Sequence, residues 1–187
     1  MRIAYQGAPG AFSQQAALQV DPRARTLGVP DFATALAAVA NGRADRAVIP
    51  VENAIAGPVD AAQAALAQRG DLEVIDELRL PIRLALMALP GATLTGLRWA
   101  ESHPVALAQC TRWLSAHRLE PRPAYDTAGA ARSIAEDRDW TRAAVAPREA
   151  AERYGLQILA DDIADAVGNV TRFVVVARRA ADREAAA

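Results

Sequence analysis

Short apolar runs typical of β-strands alternate along this chain with longer runs of helical periodicity. This alternation restricts the fold most, because strands that alternate with helices assemble into α/β sheets whose faces the helices cover. The sequence therefore predicts an α/β protein. The predicted strands are Arg2–Gln6, Arg46–Pro50, Leu72–Leu78, Ile82–Leu89, Leu97–Glu101, Ala143–Ala146, Leu156–Leu159 and Val170–Arg178. The predicted helices are Ala11–Val20, Phe32–Asn41, Val59–Arg69, Pro104–Arg118, Thr127–Glu136 and Arg148–Tyr154, with a short turn near Asp161–Val167.

The stretch "LRLPIRLALMALPGATLTG" (Leu78–Gly96) differs from what precedes it, since two prolines bracket a strand and a small polar loop follows. We interpret it as the crossing into a second lobe. If the last strand returns to the first lobe, the chain forms two α/β lobes with a central cleft. The expected first lobe is discontinuous, with residues 1–77 plus 166–187, and the expected second lobe comprises residues 78–165.

Three glycines and the end of the chain give local predictions. Gly42, Gly70 and Gly155 each follow a predicted helix, where a left-handed C-cap belongs. The alanine-rich tail "RRAADREAAA" (Arg178–Ala187) is expected to fray.

The composition excludes several classes of function. A net charge of −1 argues against a nucleic-acid surface, which needs a concentrated positive field. All 21 basic residues are arginine, which excludes a Schiff-base lysine, a pyridoxal-phosphate anchor and a P-loop lysine. His103, His117 and Cys110 cannot build a typical zinc site, and "GAPG" lacks the spacing of a dinucleotide site. We therefore expect no metal and no cofactor.

The sequence also bears on the compartment. Its longest apolar runs are far shorter than the roughly 20 residues of a membrane span, and "MRIAYQG" carries no apolar signal core. One cysteine excludes an internal disulfide. The expected location is the cytoplasm, with no membrane contact.

Polar and small residues follow most of the predicted strands. In open α/β sheets ligands bind beyond the carboxyl ends of the strands, where helix N-termini offer free N–H groups. Such junctions suit a small anion, ideally one with more than one carboxylate. The stretches are "YQGAPGAF", "IPVENAIAGPV", "AESHPVALAQC", "AYDTAGAA", "VAPREAA" and "GNVTRF".

Four residues at these junctions are candidates for binding. Glu52 and Asn53 directly follow a buried strand. Ser102 is the expected N-cap of the next long helix. Gln109 lies about two turns further along, so it is expected to share a helix face with Ser102. A Ser/His/acid triad is not expected, because no G-x-S-x-G elbow surrounds Ser102.

Three of the junctions together resemble the catalytic domain of prephenate dehydratase. "VIPVENAIAGPV" is similar to the family's P-I-E-N-S-x-x-G-x-V segment, "SHPVALAQC" to its S-H-P-Q-x-x-x-Q-C segment, and "NVTRFVVVAR" to its N-x-T-R-F signature. The similarity runs from about Arg2 to Arg178, nearly the whole chain. Three motifs in the family's order make the resemblance specific.

The resemblance implies a fold and a reaction. The fold is two α/β lobes with a central cleft, like a type II periplasmic binding protein, with the active site in the cleft. The reaction converts prephenate to phenylpyruvate, carbon dioxide and water without a cofactor. Preference for prephenate over its amino analogue arogenate stays open.

The resemblance also assigns roles to residues. Thr171 is the expected catalytic residue, whose hydroxyl assists the departing hydroxyl by hydrogen bonding or proton relay. In a regular strand Thr171 and Phe173 face one way and Arg172 the other, so Arg172 joins the site only if the strand begins irregularly. The residues expected to bind substrate are Asn53, Gln109, Ser102, Glu52, Arg172 and Phe173.

Four positions depart from the family's pattern. Ala11 lacks the hydroxyl of G-P-x-G-T-F, Ala54 stands for a serine, and Val105 stands for a glutamine. Gly129 removes a carboxylate from the S-T-A-E-A-A segment. These departures leave the detailed substrate contacts open.

Two further questions concern partners and class. The chain stops about ten residues after "VVVARR", so we expect no phenylalanine-binding regulatory domain within it, and either a free-standing catalytic unit or one served by a separate regulatory protein. A homodimer is compatible with the sequence. A non-catalytic small-anion binding module of the same fold is the alternative function, which Thr171-Arg172-Phe173 together with Asn53 and Gln109 argues against.

Overall fold

The computed structural model describes residues 1–179 and contains, in that range, eleven strands and seven α-helices. The strands are β1 (Arg2–Gln6), β2 (Arg25–Val29), β3 (Arg46–Asn53), β4 (Gly57–Pro58), β5 (Leu72–Pro81), β6 (Ala85–Ala88), β7 (Trp99–Ser102), β8 (Glu120–Pro123), β9 (Arg142–Ala146), β10 (Gln157–Ala160) and β11 (Val170–Arg178). The helices are α1 (Phe12–Val20), α2 (Phe32–Ala40), α3 (Asp60–Ala67), α4 (Pro104–Ala108), α5 (Thr111–Ala116), α6 (Thr127–Asp137) and α7 (Arg148–Tyr154), with a short 3-10 helix at Leu94–Gly96. The tail was expected to fray, but its residues from 180 onward lie outside the described range.

The chain divides into two compact units. The first comprises Met1–Gly7, Phe12–Pro81 and the chain from Val170 onward, and the second comprises Ala8–Ala11 and Ile82–Asn169. The sequence placed the two main crossings at residues 77/78 and 165/166. The short segment Ala8–Ala11 was not expected to leave the first unit, but both of its alanines pack into the core of the second.

The first unit is built on a six-stranded sheet with the order β2-β1-β3-β11-β5, in which β4 pairs with β3. The pairs β1–β2 and β1–β3 are parallel, whereas β11 runs antiparallel to both β3 and β5. Helix α1 buries its alanines against one face, and α2 and α3 cover the other. The long strand β11 thus lies inside the sheet, with β3 and β5 as its neighbours.

The second unit has a five-stranded sheet with the order β10-β6-β9-β7-β8. Helices α6 and α7 pack against it through small side chains, which accounts for the many buried alanines of this unit. Arg142 on β9 donates two hydrogen bonds of 2.8 Å to Glu101 on β7 and also contacts Asp137 on α6. The hydrogen bond from Arg142 lowers the pKa of Asp137.

Local sequence explains where several helices begin and end. The Asp31 carboxylate accepts a hydrogen bond of 2.6 Å from the Thr34 amide and caps α2. Hydrogen bonding from the Thr34 side chain, and then from its amide, lowers the pKa of Asp31. Asp126 caps α6 in the same way. Helix α7 ends at Gly155, whose φ of 67° lies in the left-handed region.

Most predicted elements are present, and three have the predicted bounds: β1, β11 and α7. The sequence reading missed β2, β4 and β8. Strand β8 has the sequence EPRP, and proline cannot donate to a ladder, but β8 is an edge strand, where proline is tolerated.

Four local predictions have outcomes in the structure. Gly42 and Gly155 adopt the predicted left-handed backbone, with φ of 71° and 67°. Gly70 does not, so that prediction is wrong. The expected helical turn at Asp161–Val167 is instead a series of bends.

The prediction of one helix over Pro104–Arg118 is also wrong. The structure has two short helices, α4 and α5, separated by Gln109 and Cys110. The Gln109 carbonyl accepts a hydrogen bond of 2.7 Å from the Asp165 amide. The Asp165 carboxylate accepts bonds of 2.9 and 3.1 Å from the amides of Arg112 and Trp113, so it caps α5. A distant residue therefore supplies the partners that break the helix.

Within residues 1–179, no helix is long and apolar enough to cross a membrane.

Candidate functional site

Asn53 and Thr171 form a hydrogen-bonded pair in the first unit. They are cross-strand partners at the end of β3 and the start of β11, and Asn53 Nδ2 donates to Thr171 Oγ1 at 2.9 Å. Thr171 is 7 % exposed. The structure thus brings together two residues that the sequence singled out, although they are 118 positions apart.

The amide of Asn53 is held in one orientation. Its Oδ1 accepts hydrogen bonds from the amides of Ile55 at 3.0 Å and Ala56 at 2.9 Å, in the turn between β3 and β4. Since the oxygen is engaged there, the nitrogen faces Thr171. The Thr171 oxygen accepts from Asn53, and its own proton can be donated elsewhere. Accepting one hydrogen bond also strengthens a hydroxyl as a donor.

A β-bulge sets the register of this pair. Phe173 lies opposite Pro50, but Arg172 lies opposite Glu52, so Val51 is an extra residue on β3. Its carbonyl accepts bonds from the Val59 amide at 3.0 Å and from Gln63 Nε2 at 3.1 Å. The sequence analysis expected Arg172 to join the site only if its own strand began irregularly. The irregularity in the pairing with β3 is instead on β3, at Val51.

The Arg172 side chain forms ion pairs with two carboxylates. Its Nε donates to Glu52 at 3.2 Å and its NH1 donates to Glu77 at 3.4 Å. Strand alternation places this group on the face opposite Thr171. Glu52 and Arg172, both predicted to bind substrate, are therefore partners of one another.

Gln109 pairs with Asn169 in the second unit. Asn169 Nδ2 donates to Gln109 Oε1 at 2.8 Å, and Asn169 is 5 % exposed. This contact turns the amide nitrogen of Gln109, a donor, away from Asn169. The Asn169 carbonyl also accepts a bond of 2.8 Å from the Ile82 amide, so the residue is held on both sides.

Cys110 follows Gln109 at the break between α4 and α5 and is fully buried. Burial, with a smaller effect of the nearby Asp165 carboxylate, raises the pKa of the Cys110 thiol to about 12. The thiol is therefore protonated at neutral pH, and it is not an activated nucleophile.

Ser102 does not cap α4, which corrects the prediction. It is the last residue of β7, it is 0 % exposed, and its Oγ donates to the Val145 carbonyl on β9 at 2.5 Å. His103 is the N-cap, with its Nδ1 accepting from the Val105 amide at 3.3 Å. Because Gln109 lies past the end of α4, it does not share a helix face with Ser102.

Phe173 lies in the core of the first unit, 1 % exposed, among Ile3, Val48 and Val175. This packing gives it a structural role. As substrate contacts, Phe173 and Ser102 stay predictions.

The four departures from the family's pattern occupy different surroundings. Ala11 is buried in the second unit, whereas Val105 and Ala54 are exposed. The Gly129 amide donates to the Asp126 carboxylate, so Gly129 belongs to the cap of α6.

The sequence analysis gave Asn169 no role, and it missed the bulge at Val51. Asn169 could have been found, since it is the first residue of the N-x-T-R-F segment and sits before an apolar strand. No sequence pattern near Val51 predicts the bulge, because the bulge depends on the pairing of β3 with β11.

No group of three or more His, Cys, Asp or Glu side chains among residues 1–179 is arranged to hold a metal ion.

Comparison with known proteins identifies relatives over nearly the whole chain. A family model described as prephenate dehydratase matches residues 3–181. "Arogenate dehydratase 5, chloroplastic" from Arabidopsis thaliana is 43 % identical over 182 residues, which cover 95 % of this chain and 42 % of that protein. The chain therefore spans less than half the length of this curated relative.

Solved structures share the fold. The structure described as prephenate dehydratase in complex with L-Phe from Arthrobacter aurescens has a TM-score of 0.89 and 34 % identity, covering 96 % of this chain and 61 % of that one. A nutrient binding protein from Burkholderia cenocepacia bound to methionine has a TM-score of 0.52 and 14 % identity, covering 95 % of this chain and 84 % of that one. The second likeness concerns the fold alone.

Proposed function

Because this chain belongs to the prephenate dehydratase family, we propose that it converts prephenate to phenylpyruvate, carbon dioxide and water in phenylalanine biosynthesis. The observation that carries the proposal is the hydrogen bond from Asn53 to the hydroxyl of Thr171. It supplies an oriented donor, which the reaction needs at the departing hydroxyl.

The reaction balances with one proton. The bond between the ring and its carboxylate breaks, and its electron pair enters the ring as carbon dioxide leaves. The C–O bond to the ring hydroxyl breaks, and that oxygen leaves as water after taking up a proton. Aromatisation supplies the driving force, so no oxidant, reductant or cofactor is required. The protein has to orient the substrate and assist the leaving hydroxyl.

Thr171 is proposed as the catalytic residue. A threonine hydroxyl is a weak acid at neutral pH, so it serves best as a hydrogen-bond donor or a proton relay. Its oxygen accepts from Asn53 at 2.9 Å, which directs its proton outward and makes it a better donor. A donor that is already oriented costs no reorganisation in the transition state.

Asn53 and Gln109 are proposed to bind the substrate. The hydrogen bond from Asn169 to Gln109 Oε1 supports this role, because it fixes which end of the Gln109 amide is the acceptor and which is the donor. A substrate with two carboxylates and a ring hydroxyl offers several such acceptors.

The other predicted contacts are retained as proposals of lower rank. Ser102 and Phe173 are buried within their own units, which supports a role in positioning. Glu52 and Arg172 are ion-paired, so either could reach a substrate only by giving up part of that pair.

Arogenate dehydration is the second candidate function. The observation that favours it is the 43 % identity to a relative named arogenate dehydratase. Arogenate differs from prephenate only in carrying an amino group where prephenate has a keto group. The same leaving groups depart, and Thr171 would have the same role.

Location and partners remain predictions. The cytoplasm was expected from the sequence, but the Arabidopsis relative is named chloroplastic. The proposed ligand is a small-molecule substrate. A homodimer and a separate regulatory protein are both compatible with the proposal.

The test measures steady-state rates of the purified 187-residue chain with each substrate. We expect phenylpyruvate from prephenate, above the rate of the buffer control, with kcat/KM larger than for arogenate. A larger kcat/KM for arogenate, with phenylalanine as product, would replace the proposal by the second candidate. Saturable binding of prephenate without any product would instead identify a non-catalytic anion-binding module.

A further inference from the structure

We infer that Arg172 is a positioning residue: its ion pair with Glu52 holds the bulged register that places the Asn53 amide, rather than a carboxylate, opposite the Thr171 hydroxyl. This inference rests on the proposed function and assigns Arg172 and Glu52 a role other than direct substrate binding. It is carried by the pairing of β3 with β11 and by the contacts of Arg172.

The register changes at one point. From Val176 back to Phe173, β11 pairs with β3 in an unbroken antiparallel ladder that ends with Phe173 opposite Pro50. After the extra residue Val51, the ladder resumes with Arg172 opposite Glu52 and Thr171 opposite Asn53. The bulge therefore shifts the end of β3 by one residue relative to β11.

Without the bulge, the ladder would pair different chemical groups. Continued in the register of Phe173 and Pro50, it would place Glu52 opposite Thr171 and move Asn53 out of the pair. A shift of one residue also moves each side chain to the other face of the sheet. The Thr171 hydroxyl would then donate its proton to the Glu52 carboxylate. A hydroxyl engaged in that way could not donate to a leaving group.

Arg172 is placed to prevent that shift. Its cross-strand partner in the bulged register is Glu52, and the two side chains are 3.2 Å apart from Nε to the carboxylate oxygen. The Arg172 side chain is 33 % exposed and the Glu52 side chain 54 %, so water screens the pair from the Glu52 side more than from the Arg172 side. In the regular register Glu52 would lie on the face opposite Arg172, and the ion pair would be lost.

The backbone of the bulge is also anchored. The Val51 carbonyl, which the bulge takes out of the ladder, accepts bonds from the Val59 amide and from Gln63 on α3. The Ala54 amide donates to the Val170 carbonyl at 2.8 Å, which closes the ladder just beyond Asn53. This last bond reports on the register, because it forms only when Asn53 lies opposite Thr171.

Glu77 provides a matched control. Its carboxylate also contacts Arg172, at 3.4 Å, but it belongs to β5, which does not carry Asn53. Removing the Glu77 charge changes the electrostatic surroundings of Arg172 without releasing the end of β3.

The kinetic test compares Arg172→Met, Glu52→Gln, their double variant, Glu77→Gln and Arg172→Lys. We expect Arg172→Met to lower kcat by about 10- to 100-fold, the size of a small misplacement of catalytic groups, with KM changed by less than about threefold. The double variant should be no slower than Arg172→Met, since both changes break one contact. Arg172→Lys should recover part of the loss, and Glu77→Gln should keep at least about half of the wild-type kcat. A rise in KM with unchanged kcat, additive between Arg172 and Glu52, would show direct substrate binding and overturn the inference.

A second readout is independent of activity. Amide hydrogen exchange of Ala54, followed by NMR, should be at least about tenfold faster in Arg172→Met than in Glu77→Gln, with exchange of Ala144 in the second unit unchanged. Equal protection of Ala54 in the two variants would overturn the inference even if their rates differ. If the wild type turns over neither substrate, the proposed function fails, and the exchange measurement still tests the register.

Discussion

Among single residues, Asn53 decides what the Thr171 hydroxyl can do. Its carboxamide has two ends with opposite properties, and the structure uses both. The oxygen accepts two backbone N–H groups of the turn, and the nitrogen donates to Thr171. Alanine substitution of Asn53 would not show which of its two roles matters, because the anchor of the turn and the orientation of Thr171 would be lost together.

Asn53→Asp separates the two effects. The aspartate keeps an acceptor for the turn but replaces the donor with a second acceptor, so the Thr171 proton is drawn toward residue 53. We expect folding to be retained, with the free energy of unfolding changed by less than about 1–2 kcal/mol, and kcat to fall by roughly 10²-fold or more. Urea denaturation and steady-state kinetics measure the two quantities. Gln19→Glu, an exposed substitution on α1, controls for the added charge. An Asn53→Asp variant with normal kcat would remove this orientation from the mechanism.

At the level of single residues, the sequence singled out positions where a short motif carries the information. Asn53 and Gln109 follow apolar stretches, and Thr171 precedes one, which the sequence shows. Asn169 lies in the same stretch as Thr171 but was given no role, because its partner Gln109 is 60 positions away. The predicted N-cap role of Ser102 was wrong because strand β7 continues to Ser102. Helix α4 begins at Pro104, so its N-cap is His103.

At the scale of secondary-structure elements, the junction of α4 and α5 shows what the sequence could not predict. The apolar pattern from Pro104 to Arg118 fits one helix. The break depends on Asp165, which lies 53 positions from Arg112 and caps α5 from outside. Strand β11 was predicted with its bounds because its unbroken apolar run, residues 173–177, needs no distant partner to be recognised. The Val51 bulge, like the break, exists only in the context of a neighbouring element.

The same junction gives a pH dependence. Cys110 is buried there with a pKa raised to about 12 from a usual value of 9.0. Between these values the unfolded chain loses the thiol proton while the folded chain keeps it. The contribution of Cys110 to stability is therefore complete below pH 9 and is lost as the pH rises toward 12.

This dependence can be measured as the urea midpoint at pH 8, 9 and 10. We expect the wild type to lose more stability across this range than Cys110→Ala, which has no thiol to titrate. Labelling of the folded wild type by a thiol reagent at pH 8 should also be slow. Equal losses of stability in the two proteins would show that the thiol is not shielded as the structure indicates.

At the scale of the whole molecule, each of the two units contains one hydrogen-bonded pair of predicted or neighbouring site residues. Asn53 and Thr171 belong to the first unit, and Gln109 and Asn169 belong to the second. The segment from Asn169 to Thr171 crosses from one unit to the other and carries one member of each pair. A single short motif therefore supplies residues to both.

The family resemblance, the α/β class and the presence of two sheets were predicted from the sequence and are confirmed. The sequence did not decide between prephenate and arogenate, because both substrates lose the same leaving groups and the four departures from the family's pattern leave the detailed contacts open. The names of the relatives leave the same choice of substrate open, since one is named arogenate dehydratase and another prephenate dehydratase.

The role of the Thr171 hydroxyl can be tested by single-turnover conversion of prephenate. The wild type, Thr171→Ser and Thr171→Val are each used in excess over prephenate, and product and carbon dioxide are both quantified. We predict one phenylpyruvate and one carbon dioxide per prephenate for the wild type. Thr171→Ser should keep most of the rate, since its hydroxyl survives. Thr171→Val, of similar shape but without the hydroxyl, should be slower by roughly 10²–10³-fold while still folded by circular dichroism. A Thr171→Val rate close to that of the wild type would contradict the account, because the hydroxyl oriented by Asn53 would then have no part in the reaction.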